Sequence, residues 1–150
     1  MSKLAPLTLA LGLALSGVSI AASAQETAAA VKSEPAKVIY HINDSAGQAL
    51  AALRNMRNHL DVAPDTKIIA VTHAEGIDFL MTDYKDADKV GPLVSALASR
   101  GVHFEVCKIT LKGRGNLSED AFMMEAEFVP SGVARIAQLQ TQEGYAYIKP

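Results

Sequence analysis

Residues Lys67 to Thr72 (KIIAVT) form a short, nearly continuous apolar run, and this run constrains the fold more than any other part of the sequence. A strand that is apolar at almost every position is buried on both faces, the condition of a strand in a parallel sheet with helices above and below. The flanking segments fit that condition. Lys37 to Ile42 (KVIYHI) is β-branched and aromatic and runs into Asn43-Asp44-Ser45, a turn and helix-capping cluster. Ala46, Ala49, Leu50, Leu53, Met56 and Leu60 then recur at spacings that fall on one helical face, with Arg54, Asn55, Arg57 and Asn58 opposite. Pro64-Asp65 breaks this helix before the apolar run begins.

The same alternation continues downstream. After His73 a polar stretch to Lys89 encloses an apolar cluster at Ile77, Phe79, Leu80 and Met81, read as a short helix or a packed loop. Pro92 suits a first helical position, Leu93, Val94 and Leu97 make a stripe, and Gly101 stands where a left-handed helix-ending residue belongs. Val102 to Cys107 reads as a third strand, Lys108 to Gly115 as a short helix and its exit loop, and Ser118 to Phe122 as another helical turn. Glu127 to Val129 is a fourth strand ending at Pro130. Ser131 caps a helix that turns Val133, Ile136 and Ala137 inward and ends at Gly144, and Tyr145 to Lys149 is a fifth strand. Strands alternating with helices predict an α/β fold, a three-layer α/β/α sandwich around a mostly parallel sheet, because parallel neighbours need crossover connections. The order of the strands is not legible.

Residues 1–24 have the layout of a cleavable signal peptide: Lys3, an apolar run from Leu4 to Ile20 interrupted by Pro6, and Ala22-Ser23-Ala24 ahead of Gln25. The run is shorter than the roughly 20 residues a membrane span needs. Cleavage after Ala24, export, and no membrane attachment thereafter are the expectation. Residues 25–36 read as a flexible lead-in, and residues 37–150 as one domain. Only one charged residue, Lys3, lies in the leader, so 13 basic and 16 acidic residues remain and the net charge after cleavage is −3. So mildly acidic a domain is not built for nucleic acid or an anionic membrane, which call for a basic face.

Cysteine is used once, at position 107, which excludes an internal disulfide. A free thiol, an intermolecular bridge, a metal ligand or a thiol that carries a group remain. In open α/β sheets ligands bind outside the carboxyl ends of the strands. Those ends place Asn43 and Asp44, His73 with Glu75, Cys107 with Lys108, and Ser131 with Gly132 along one edge. Cys107 shares the strand parity of His103 and Glu105 and precedes a helix start followed by Lys108, Lys112 and Arg114. A helix N-terminus and cations both favour thiolate over thiol. The competing reading is a buried cysteine that only packs. His73 is suited to act as a base, as a proton donor to a sulfur leaving group, or as a metal ligand. Ser131-Gly132 at a helix start suits an anion held by backbone amides. His41, inside a strand, reads as a satisfied core histidine, and His59 as solvated.

Other chemistries lack support. His73, His103 and Cys107 are the one plausible zinc or copper set, at a spacing that matches no ligand pattern, and Met123-Met124 beside Phe122 reads as core filling. Asp83, Asp86 and Asp88 lack the glycine and glutamate of a calcium loop. There is no Walker lysine and no nucleophile elbow. No metal and no cofactor are expected.

Five segments in order, YHIND (40–44), THAEGIDFL (72–80), VCKITLKGRG (106–115), VPSGVARIAQLQ (129–140) and GYAYIKP (144–150), together resemble the DsrE/DsrF-like family of sulfur-relay and intracellular sulfur-oxidation proteins. The resemblance runs from Lys37 to Pro150. It implies a five-stranded, mainly parallel sheet in a three-layer sandwich and assembly into dimers, trimers or hexamers. It also implies that Cys107 carries sulfane sulfur as a persulfide between donor and acceptor thiols. The expectation is thus a periplasmic sulfur carrier or sulfurtransferase-like protein with catalytic Cys107 and His73 and with Asn43, Asp44, Lys108, Ser131 and Gly132 as binding residues. A non-catalytic oligomeric binding module of the same fold, or a small metal-binding periplasmic protein, is the alternative.

Overall fold

The structure, a computed structural model, describes residues 34–150. The expected signal peptide and most of the expected lead-in lie outside the described residues. The elements run β1 (Lys37–Asp44), α1 (Ser45–Val62), β2 (Lys67–Glu75), α2 (Ala87–Ala98), β3 (His103–Cys107), α3 (Lys108–Gly113), β4 (Ala126–Val129), α4 (Gly132–Gln142) and β5 (Ala146–Ile148). Short 3₁₀ turns occupy Asp78–Leu80 and Glu119–Ala121. All four strand pairings are parallel, and the order across the sheet is β4-β3-β2-β1-β5. The apolar run at 67–72 is therefore in the central strand of the sheet, paired with β1 on one side and β3 on the other, which is why it tolerates no polar face.

The two faces are filled unequally. Tyr40, Ile42, Ile68, Phe104 and Val106 point towards α1 and α2 and share a large core with Leu53 and Val94. Among the described residues the opposite face is covered by α4 alone, over a small core of Ile39, Ile69, Val71, Ile136 and Leu139. One helix cannot span five strands. His41, His103 and Glu127 on this face are left partly or fully exposed, as is Tyr147 on the edge strand.

Val133, Ala137 and Met124, expected inside, are exposed, since α4 turns Gly132, Ile136 and Leu139 to the sheet instead, and two further local readings differ from expectation. Helix α2 begins at Ala87, so Pro92 lies inside it rather than at its first position. The chain is already held in helix by Val90 and Lys89 donating to the Asp86 carbonyl, and Pro92 forgoes only its own amide bond one turn further on. Strand β2 also runs on past Thr72 to Glu75. Ile42 pairs with Thr72 while Asp44 pairs with Glu75, so β2 carries one extra residue there, with Ala74 in the left-handed region at φ 49°. Such a bulge bends the strand and re-aims the side chains beside it. Gly101, at φ 86°, ends α2 as its position in the sequence foretold.

Candidate functional site

Cys107 is the last residue of β3 and the N-cap of α3. His73 lies one strand away, at the bulge of β2, on the same face of the sheet. The third wall is the start of α4. A methyl group placed on Gly132 would stand 3.3 Å from Cys107 Cβ, 3.3 Å from the Thr72 carbonyl and 3.5 Å from His73 Cβ. Glycine at this position lets the α4 backbone press into the corner between the two strands, a contact that any side chain would hold open.

That close approach sets the chemistry of the thiol. Cys107 is 4% exposed, so its burial works against ionisation. The amide of Gly132, the amide and hydroxyl of Thr110 and the amide of Ile109 lie beside the sulfur, and their polarity outweighs burial and brings the thiol below its ordinary range. Amide and hydroxyl donors stabilise the thiolate because they bond the charged form more strongly than the neutral one. The Thr110 hydroxyl also accepts from the Ala74 amide at 3.1 Å, so one threonine ties the β2 bulge to the sulfur.

The expected cations do not contribute. Lys108 Nζ is 2.8 Å from Glu119 and lies over the Phe128 ring, Arg114 pairs with Asp78, and Lys112 is exposed on α3. None of the three acts on the thiol, so its thiolate preference is a property of backbone and threonine donors. The thiol is also buried rather than emergent at the rim, because the α4 start covers it.

His73 is part of a chain of groups that reaches the edge of the sheet. Its Nε2 is 2.7 Å from His41 Nε2, and His41 Nδ1 is 2.6 Å from the Tyr147 hydroxyl. Burial, then the charge of Lys149, then the neighbouring His73 lower His41 to about 4. Burial and Lys149 lower His73 as well, against an opposing pull from Glu75. Both rings are accordingly neutral near neutral pH. Lys149 Nζ donates to Asn43 Oδ1, to Gln48 Oε1 at 3.0 Å and to the His41 carbonyl at 3.2 Å, which fastens the end of the chain to β1.

The structure therefore gathers Cys107, His73 and Gly132 in one corner. Ser131 stands beside them as the cap of α4, accepting from the Ala134 amide at 3.3 Å. Asn43 serves the Lys149 anchor. Asp44 caps α1 by accepting from the Ala46 and Gly47 amides, and it lines a separate cavity of about 470 Å³ with Glu75, Asp78, Tyr84 and Arg114. Among the described residues, no group of three or more His, Cys, Asp or Glu side chains is placed to hold a metal ion. Sequence reasoning passed over His41, Thr110 and Tyr147. Parallel register, which puts His41 opposite Val71 and so beside His73, is the missing information.

A buried thiol at the carboxyl edge of a parallel five-stranded sheet, faced by the amides of two converging helix starts and flanked by a histidine, defines the class: an α/β protein built around one polarised cysteine. The chain belongs to the DsrE/DsrF-like family, whose profile matches residues 21–150. Membership carries a sulfur-relay type of role in general. Among solved structures, the chain is similar to a protein of unknown function, MTH1491 from Methanobacterium thermoautotrophicum. The two are 31% identical, the match covers 77% of this chain and 99% of the other, and the TM-score is 0.69. Among proteins of curated function none matches.

Proposed function

We propose that the protein is a sulfur carrier that takes sulfane sulfur onto Cys107 as a persulfide and passes it to a protein or small-molecule thiol. The observation that carries this reading is the convergence of the Gly132, Ile109 and Thr110 donors on the only sulfur atom of cysteine type in the chain. Purely structural cysteines on strands need no such donors. In the loading step the Cys107 thiolate attacks the outer sulfur of a donor R–S–SH. A bond forms between Cys107 Sγ and that sulfur, the bond to the donor breaks, and R–S⁻ leaves with the electron pair and takes up a proton. Attack by an acceptor thiolate on the outer sulfur returns Cys107 to its starting form, with no net oxidation. In this reading His73, whose Cβ adjoins the Gly132 corner, gives and takes the proton.

An exported, periplasmic location belongs to the same proposal and rests on the sequence of residues 1–24. So does self-association, supported by the half-covered sheet face around His103, Glu127 and Tyr147. Intact-mass analysis after incubation with a persulfide or thiosulfate donor should show a gain of one sulfur atom, absent from Cys107→Ser. No adduct with any donor overturns the reading.

The near-complete burial of Cys107 favours one second reading, a binding module in which the thiol only packs. On that reading the native thiol resists alkylation and sulfur donors alike, while Cys107→Ala keeps the biological activity.

A further inference from the structure

The array of Tyr147, His41 and His73 is not needed to hold the sheet together. Three polar rings from three different strands, β5, β1 and β2, meet end to end on the face that α4 leaves partly open. The outer member, Tyr147, is 42% exposed, and the inner member, His73, has its Cβ against the same Gly132 corner as Cys107. We infer that these three residues form a proton relay between solvent and the sulfur-exchange site, with Tyr147 at the solvent end and His73 at the Cys107 end. The inference rests on the reading of Cys107 as a sulfur-accepting thiol and adds to it the route by which the departing donor is protonated.

The geometry fixes how such a relay works. His41 uses both ring nitrogens, Nδ1 towards Tyr147 and Nε2 towards His73, so it has no other partner to serve. His73 spends Nε2 on His41, and the relay assigns its remaining nitrogen, Nδ1, to the site whose corner its Cβ adjoins. Between two neutral imidazoles joined Nε2 to Nε2, one ring must donate and the other accept, so the two rings hold opposite tautomers. In one arrangement Tyr147 donates to His41 Nδ1, His41 Nε2–H donates to His73 Nε2, and His73 carries its proton on Nδ1. When R–S⁻ leaves, it takes the Nδ1 proton of His73. His73 Nε2 then takes the proton of His41, His41 Nδ1 takes that of Tyr147, and water returns one to the phenol oxygen. The balance is one proton moved from water to the leaving thiolate. No ring is charged before or after, and the final arrangement is the same chain of hydrogen bonds run in the reverse direction.

The charged neighbours suit this use. Lys149, just past the end of β5, opposes a positive charge on either ring, and Glu75 at the end of β2 pulls His73 the other way. A relay of neutral rings conducts only while both stay neutral. Tyr147 and His41 touch no substrate and act through His73, so they are positioning residues rather than catalytic ones.

The experiment compares two donors on the full chain. Glutathione persulfide leaves as a basic thiolate that needs a proton, whereas thiosulfate leaves as sulfite, a far weaker base. Tyr147→Phe and His41→Phe should load Cys107 from glutathione persulfide at least about tenfold more slowly, a part of the ~10²–10⁴-fold that general acid–base catalysis contributes, and load from thiosulfate at the wild-type rate. Equal rates with glutathione persulfide in variant and wild type overturn the relay. So does an equal loss with both donors, which marks a structural role. Nitrogen-15 spectra of the unloaded wild type should show opposite tautomers for His41 and His73, and matching tautomers overturn the arrangement. Tyr147 lies on an edge strand, so its variant keeps the test open should His41→Phe fold poorly. Wild type that loads from neither donor overturns the sulfur-acceptor reading itself, and the relay with it, whatever the ring spectra show.

Discussion

Replacing Thr110 with valine removes one hydroxyl and keeps the shape of the side chain, and its effect can be worked out from the two bonds that the hydroxyl makes. One of them goes to the Cys107 sulfur and favours the ionised form. A hydrogen bond to a charged partner contributes about 1.5–3 kcal/mol, and a diffuse sulfur acceptor belongs at the lower end. About 1.4 kcal/mol corresponds to a tenfold change in an ionisation constant. The Gly132, Ile109 and Thr110 amides remain in the variant, so the expected result is an ionisation constant about tenfold weaker, not a fully ordinary thiol. The second bond accepts the Ala74 amide, and its loss costs the fold about 1 kcal/mol, the low end for an unsatisfied group because Ala74 is half-buried. Far-ultraviolet thiolate absorbance, titrated against Cys107→Ser as the blank, reads the first effect without requiring reagent access. Thermal unfolding reads the second. Thr110→Ser, which keeps the hydroxyl, should restore most of both. An unchanged titration in Thr110→Val refutes the argument that side-chain and backbone donors, rather than the nearby lysines, set the state of this cysteine.

Three further outcomes follow from particular contacts. Gly76→Ala places a methyl 2.2 Å from the Ile42 carbonyl and within 2.6 Å of the Asn43 backbone, none of which can swing aside, so urea denaturation should show a loss of at least about 3 kcal/mol or no folded protein. Arg135→Ala strips the partner from Glu105, whose carboxylate is 5% exposed and bonded by Arg135 Nε at 3.1 Å to both oxygens, at a cost of about 3 kcal/mol. Burial already raises Glu105, so without Arg135 its folded value rises further above the unfolded one and the lost stability should return as pH falls; a cost independent of pH contradicts this. His41, held at about 4 against an ordinary 6.5, contributes stability that is present above 6.5 and lost as pH falls towards 4. The full shift corresponds to about 3 kcal/mol, and discounted for a partly solvated ring it leaves about 1–2 kcal/mol. His41→Asn should flatten that part of the stability profile, and an unchanged profile contradicts it.

What the sequence displays and what it hides divide along physical lines. The run KIIAVT and the helical stripe from Ala46 to Leu60 are visible because burial acts on every residue of a segment, so composition and period record it. The capping residues Asp44 and Ser131 and the helix-ending Gly101 are visible because each answers a local backbone need. Pro92 misleads for the same reason: a local rule places it at a helix start, while Asp86 and Tyr84 have already begun the helix upstream. Cys107 is legible as a candidate because there is one cysteine and a strand end. Its donors are not, since Gly132 lies on the far side of another strand and helix, and only the close approach of backbones brings its amide to the sulfur. His41 shows the same limit. Within β1 it is a polar interruption of an apolar strand, and only the parallel register with β2 turns it into a partner for His73.

The site also explains why the sheet face that carries it is so sparsely covered. Among the described residues helix α4 is the only helix on that face, and its first residue turns an amide to the thiol, so its position along the sheet has to be held tightly. The small core beneath it, five residues around Val71 and Leu139, holds it down but resists sliding weakly, because apolar contact is non-directional. The direction comes from Arg135, one turn after Gly132, which bonds both oxygens of Glu105 and also reaches Glu143 at 2.8 Å. Glu105 is two residues before Cys107 on the same face of β3, so the ion pair measures the distance from the helix to the cysteine strand directly. A buried carboxylate is costly, and an apolar pair of similar size would stabilise the fold as well or better. Its value here is that it fixes where Gly132 sits above Cys107, which a larger apolar core could not do.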